Sequence, residues 1–271
     1  MKKLYLECFS GISGDMTAAA LLDLGVSEEA LLSALKSLPL HGYEIRISTV
    51  EKSGIKAKDF DVILEHDNHD HDMEYLYGHE TEHEEAHPHG HHHHGDAPHV
   101  HRTLKDIREI IDKSTLTEGA KKKALQIFDV IAEAEGAVHG SDKEAVHFHE
   151  VGAVDSIVDV AAIAFCLDAL GYEEVIVPLV YEGFGTVRCQ HGVIPVPVPA
   201  VTEIAKRYSI GFHPMGLPGE FVTPTGAAVI AAVRTDTALP ERYRIVSIGV
   251  GAGKRSYDGP GVLRAMVIEE T

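Results

Sequence analysis

Between residues 66 and 101 the chain loses the means to build a core. Thirteen of its nineteen histidines fall there, interleaved with Asp70, Asp72, Glu82, Glu84 and Glu85, and Leu76 and Val100 are almost its only aliphatic residues. A stretch with so little apolar surface to bury cannot repay the entropy of being ordered, so a disordered His-rich loop is expected. The fold must then come from residues 1–65 and 102–271, which read as two parts of one main domain. At 44% hydrophobic over 271 residues, the chain has ample material for that core.

Charge and length narrow the function classes. A net charge of −18 repels a phosphate backbone, and no basic patch is visible, so nucleic acid is not an expected partner. Divalent cations suit such a surface better. No window approaches the eighteen apolar residues of a membrane span, and residues 1–7 look like a strand rather than a signal peptide, which predicts a cytoplasmic protein with no membrane contact. Cys8, Cys166 and Cys189 are odd in number and widely spaced, as in a reducing compartment.

Periodicity predicts an α/β or α+β fold, a mixed sheet with helices interrupted by the loop. A strand over residues 3–9 leads through a Gly/Ser turn into a helix marked by Met16, Ala19, Ala20 and Leu24. Ser27 caps a second helix that stops before Pro39. Residues 43–49 and 55–64 alternate as a hairpin. In its second strand Ile55 and Ala57 fall on one parity and Phe60, Val62 and Leu64 on the other, which predicts a bulge near Asp59. Helices are expected from Thr103 to about Asp112, from Glu118 to about Val138 and from about Val154 to Leu170. Strands over residues 175–180, 244–249 and 262–268 then alternate with helices beginning near Pro199 and Thr225.

Four groups of residues carry chemistry. In the His-rich loop, His87, His89, His91, His92, His93 and His94 suit Ni, Cu, Zn or Co, and their internal, acidic setting argues against an engineered tag. A mobile loop suits capture and buffering rather than catalysis. A better-ordered cluster lies in residues 146–159. His147 and His149 share one side if extended, Glu150 follows, and Asp155 and Asp159 share a helix face, giving a candidate metal or general-base site. Each residue alone also has an ordinary reading, as a surface histidine or a helix-capping aspartate.

The turn Cys8-Phe9-Ser10-Gly11-Ile12-Ser13-Gly14-Asp15-Met16 sets a helix start behind a strand. Ser10, Gly11, Ser13 and Gly14 could cradle a phosphate there, while Asp15 either caps the helix or holds a cation. Phe221-Val222-Thr223-Pro224-Thr225-Gly226-Ala227-Ala228 repeats the idea with Thr223, Thr225 and Gly226, where plain capping is the competing reading. Gly249-Val250-Gly251-Ala252-Gly253-Lys254 is not a P-loop, because Ile248 and Arg255 stand where Gly and Ser or Thr are required. Cys189 and His191 could meet a soft metal, although a buried cysteine beside a hairpin turn is commoner.

Taken together, the turn at residues 8–16, the His-rich insert, residues 147–159, His191-Gly192-Val193-Ile194-Pro195-Val196-Pro197 and Thr223-Pro224-Thr225-Gly226-Ala227 resemble the LarC family of nickel-insertion proteins. The resemblance implies a nickel chelatase, a metal-inserting lyase. It would convert pyridinium-3,5-bisthiocarboxylic acid mononucleotide into the nickel-pincer cofactor of lactate racemase, using Ni²⁺ as substrate, CTP, and Mn²⁺ or Mg²⁺. It also implies a carboxyl-terminal CTP-binding domain beyond residue 271 as partner, with this chain inactive alone. The lactate racemase apoenzyme and a second copy of the chain are further expected partners. Asp15 and His191 are the candidate catalytic residues. The rival expectations are a nickel-storage protein or metallochaperone without catalysis, and a metal-dependent hydrolase built on His147, His149, Asp155 and Asp159.

Overall fold

The computed structural model describes residues 2–65, 102–148, 152–189, 192–255 and 259–271. The predicted His-rich segment lies outside them. A six-stranded sheet organises the rest, in the order β2-β3-β10-β11-β1-β6. β1 (Lys2–Glu7) runs antiparallel to β11 (Val262–Glu270) from Lys2↔Glu269 to Glu7↔Arg264, and parallel to the short β6 (Val175–Ile176). β10 (Tyr243–Ala252) flanks β11 on the other side, and β2 (Tyr43–Lys52) and β3 (Ile55–Leu64) form the expected hairpin.

No bulge interrupts that hairpin: its register runs unbroken from Tyr43↔Leu64 to Lys52↔Ile55. The parity change near Asp59 is real, but both faces of the strand have apolar cover. Ala57 packs with Ala252 and Val262 on one face, and Phe60 enters the main core. A strand that feeds two cores in succession does not need an extra residue to turn its side chains over.

α1 (Gly14–Asp23) lies directly on the sheet, and α2 (Glu28–Leu35) follows it, capped by the Ser27 hydroxyl as predicted. The Gly249 and Gly251 pair, which the sequence refuses as a P-loop, has a packing reason. A Cβ at these positions would stand 2.1 Å from the Ala20 carbonyl oxygen and 2.0 Å from that of Met16, so only glycine lets α1 approach β10 backbone to backbone. Leu4 and Leu6 point into this helical side, while Tyr5, Met266 and Ile268 face the opposite side with Ile176 and Leu239.

Behind α1 lie α3 (Leu104–Asp112), α4 (Glu118–His139), α5 (Val154–Leu170), α6 (Pro199–Tyr208) and α7 (Pro224–Val233). α4, α5 and α7 are apolar around much of their circumference, as helices buried between neighbours must be. α3 starts with a capping box, in which Asp106 N–H donates to the Thr103 hydroxyl and Thr103 N–H donates to the Asp106 carboxylate. Thr103→Ala should therefore cost about 1 kcal/mol, read as a lower midpoint in urea unfolding.

β4 (Arg102–Thr103) pairs with β5 (His147–Phe148). A three-stranded sheet, β8-β7-β9, was not predicted as such; it comprises β7 (Val180–Cys189), β8 (Gly192–Val196) and β9 (Phe212–Pro218). The expected strand over residues 175–180 is in fact split between the whole of β6, in the large sheet, and the first residue of β7, in the small one.

Candidate functional site

The two Gly- and Thr-rich turns, over two hundred residues apart in sequence, form one unit. Gly11 N–H closes the first turn on the Cys8 carbonyl (3.2 Å), with Gly11 at a φ of 78°. Ile12 then exchanges bonds with the second turn: its N–H donates to the Phe221 carbonyl (2.9 Å), and its own carbonyl accepts from Thr223 N–H (3.1 Å). Gly226 sits so close beneath Ile12 that a Cβ there would lie 2.2 Å from the Ile12 oxygen. The starts of α1 and α7 are thereby set side by side. At α7, the Thr223 hydroxyl accepts from Gly226 N–H at 3.2 Å, the plain capping that the sequence allowed. At α1, Ser13 makes no side-chain cap; its hydroxyl donates instead to the Asp15 carboxylate.

Asp159, on the second turn of α5, stands over the start of α1. A Cβ on Gly14 would meet its Oδ2 at 2.6 Å. Both Asp15 and Asp159 keep part of their surface open to solvent, so neither is sealed in the core. Burial pushes the Asp15 carboxyl up, against hydrogen bonds from the Ser13 hydroxyl and Met16 N–H. Burial pushes Asp159 up further, reinforced by the nearby charges of Asp15 and Asp155. Lys254 opposes both shifts, but its ammonium is already engaged by Asp59 at 2.7 Å and Asp61 at 3.1 Å. Two carboxylates that resist being charged together are ready either to share a proton or to welcome a cation.

Ser10, Gly11, Ser13, Gly14, Asp15, Asp159, Thr223, Thr225 and Gly226 thus come together. Asp155 lies one turn before Asp159 on α5, and the backbone of His147 pairs with Thr103 in β5. His149, Glu150, His191 and the six candidate loop histidines lie outside the described residues. Among the described residues no three His, Cys, Asp or Glu side chains converge to hold a metal ion. Burial drives the Cys8 thiol well above its ordinary value, so it stays protonated and contributes packing.

Two features of the site were not read from the sequence. Glu182, 2% exposed in β7, binds the second turn in place: its Oε1 accepts from Phe221 N–H (2.8 Å), Val222 N–H (3.3 Å) and its own neighbour Gly183 N–H (2.8 Å). Its Oε2 is buried and finds no hydrogen-bond partner among the described residues. Burial, helped by Glu220, pushes this carboxyl up to about 7 despite those three donors. Glu220 itself is bound by the Arg255 guanidinium at 2.7 Å. The second feature is an aromatic row, Phe9, Tyr181 and His213, at the lip of the first turn. The only sequence signal for Glu182 is an acid between Tyr181 and Gly183 in a strand with no other charge before Arg188.

As a class, this is an α/β protein with two partly exposed carboxylates beside two abutting helix starts. The family described as nickel insertion protein matches residues 4–271, and the chain belongs to that family. It is 50% identical over 269 residues to the pyridinium-3,5-bisthiocarboxylic acid mononucleotide nickel insertion protein of Alkaliphilus metalliredigens, covering 99% of this chain and 61% of that protein. It is 45% identical over 273 residues to the protein of the same description from Clostridium acetobutylicum, covering 100% of this chain and 64% of that one. The Akkermansia muciniphila protein so described is 41% identical, with 99% and 61% covered. The chain therefore spans somewhat over three-fifths of the length of these relatives. No solved structure matches it. Among the described residues, no helix is long and apolar enough to cross a membrane.

Proposed function

We propose that this chain binds the mononucleotide and positions nickel in an enzyme that inserts Ni²⁺ into pyridinium-3,5-bisthiocarboxylic acid mononucleotide. The observation that carries the reading is the joining of the two turns beside Asp15 and Asp159. The paired starts of α1 and α7 offer positive helix ends to the nucleotide's phosphate. The two thiocarboxylates are soft donors that can draw Ni²⁺ from imidazole nitrogens, so the protein need not bind the metal tightly. Closing a nickel–carbon bond on the ring expels one proton from that carbon. Asp15 and Asp159 lie where a carboxylate would receive it and where two negative charges would steady the incoming cation.

In this reading the histidines of residues 66–101 gather nickel, and His147, His149, Glu150, Asp155 and Asp159 pass it inward, with His191 at the reacting end. CTP, and the Mn²⁺ or Mg²⁺ that accompanies it, act on the portion of the longer protein outside this chain. No step at the two turns runs through them. The product would serve lactate racemase.

The test is cofactor formation from the mononucleotide, CTP, Mn²⁺ and Ni²⁺, with this chain alone and with the remaining portion added. Product formed only with both supports the reading. Nickel bound without product in either case would replace it with a metal-storage role. In the same assay Asp159→Asn should slow product formation at least tenfold. It should leave the urea midpoint unchanged or higher, because the charge it removes is one that burial and Asp15 disfavour.

A further inference from the structure

Phe9 is the third residue before Ile12, the hinge between the two turns, so its backbone lies within about 11 Å of the point where the turns join. Its ring is 47% exposed although it has aromatic company. The Tyr181 ring packs against it at a centroid distance of 4.9 Å with a 58° tilt, and His213 packs against Tyr181 at 4.5 Å and 45°. Both contacts are tilted, so neither covers Phe9 by face-to-face stacking. The row is held by backbone: Tyr181 N–H donates to the Cys8 carbonyl at 3.0 Å, and Tyr181 pairs in register with His213 between β7 and β9. An aromatic row held by backbone, with Phe9 open to solvent and joined through Ile12 to both turns, has the layout of a ring subsite beside a phosphate subsite.

We infer that Phe9, backed by Tyr181, is the platform on which the flat, positively charged ring of a pyridinium mononucleotide stacks. The inference rests on the substrate class of the preceding reading and assigns the ring end of that site. The negative face of a phenyl ring attracts a cationic aromatic ring, and planar stacking fixes the ring's tilt while leaving its edge free. That edge must stay free, because the thiocarboxylate groups and the carbon that meets nickel all lie on it. Stacking on Phe9 would therefore hold the ring in place and leave its reacting edge accessible without any side chain gripping it.

Equilibrium binding of three probes separates the possibilities: the bisthiocarboxylate mononucleotide, oxidised nicotinamide mononucleotide with its flat cationic ring, and reduced nicotinamide mononucleotide with the same phosphate but a neutral ring. The unaltered chain should bind the oxidised probe more tightly than the reduced one. Phe9→Ala should weaken binding of the two cationic rings about tenfold and abolish the preference, while Phe9→Trp restores it. Tyr181→Leu should give a smaller loss of the same kind. If the bisthiocarboxylate mononucleotide binds but Phe9→Ala and Tyr181→Leu leave its affinity within twofold, the platform is refuted and the nickel-insertion reading stands. Failure of the unaltered chain to bind that mononucleotide refutes both. A changed oligomeric state in Phe9→Ala with nucleotide binding intact would assign the row to protein contact and overturn the inference.

Discussion

Between pH 5 and pH 8, the stability of Glu182→Gln relative to the parent protein is expected to rise by about 2 kcal/mol, although the substitution removes a charge that accepts three hydrogen bonds. The folded carboxyl titrates at about 7 against an ordinary 4.5, so between those values the native state holds a proton that the unfolded chain has released. Its contribution to stability is complete below the lower value and is lost as pH rises through the upper one. Glutamine keeps an oxygen for Phe221, Val222 and Gly183 N–H and has nothing to ionise, while its amide nitrogen takes the place of the unpartnered Oε2 at a cost that does not change with pH. Urea unfolding at pH 5 and pH 8 should show the variant's advantage growing by about 2 kcal/mol between the two. A constant gap would mean that Glu182 titrates like an exposed acid. Glu182→Leu fills similar space but strands three buried donors, and it should lose about 3 kcal/mol or more at either pH.

The second large effect is expected where the two turns touch. Alanine is the better helix former, so Gly226→Ala would be mildly favourable on an isolated helix. Here its Cβ would stand 2.2 Å from the Ile12 carbonyl oxygen, and that oxygen is fixed by Thr223 N–H. Neither partner is a flexible side-chain tip, so α7 must back away from the first turn, at a cost of about 3 kcal/mol. Gly211→Ala is the matched control: nothing lies within 4 Å of its added methyl, and it should stay within about 0.5 kcal/mol of the parent. Cofactor formation should fall with Gly226→Ala even at temperatures where it remains folded, because the joint being opened is the proposed phosphate subsite. Retained activity in a folded Gly226→Ala protein would disconnect that joint from the chemistry.

Local patterns made the helices and the β2–β3 hairpin legible. Ser27 and Thr103 are caps whose bonds lie within three residues, and α5 is bounded as its apolar run suggests. The small sheet was illegible for equally local reasons. β7 holds Gly183 and Gly185, breaks register with β9 after Glu182, and changes from buried to exposed along its length, while β8 contains Pro195. Those features erase a period of two. In the site, each turn announced itself as a helix start, but no pattern in either turn says that Ile12 bonds to both Phe221 and Thr223. Asp159 was chosen for its spacing from Asp155, whereas its position depends on Gly14 lying beneath it. Glu182 has no motif, because its partners are backbone amides that any residue could supply.

The pairing of β1 with β11 bears on how such a chain can be made. Lys2 faces Glu269 and Glu7 faces Arg264, so β1 pairs with a strand that is synthesised long after it. At about 5–20 residues per second, roughly 13 to 50 seconds pass before that partner exists. During that interval Leu4, Tyr5 and Leu6 form an apolar strand with both of its faces and its main edge uncovered. The helices can collapse meanwhile, but the central seam of the sheet closes only after synthesis passes Val262. A nascent chain of this design therefore spends most of its synthesis time dependent on whatever shields β1, and a stall before that point would leave an aggregation-prone strand in place of a partly finished domain.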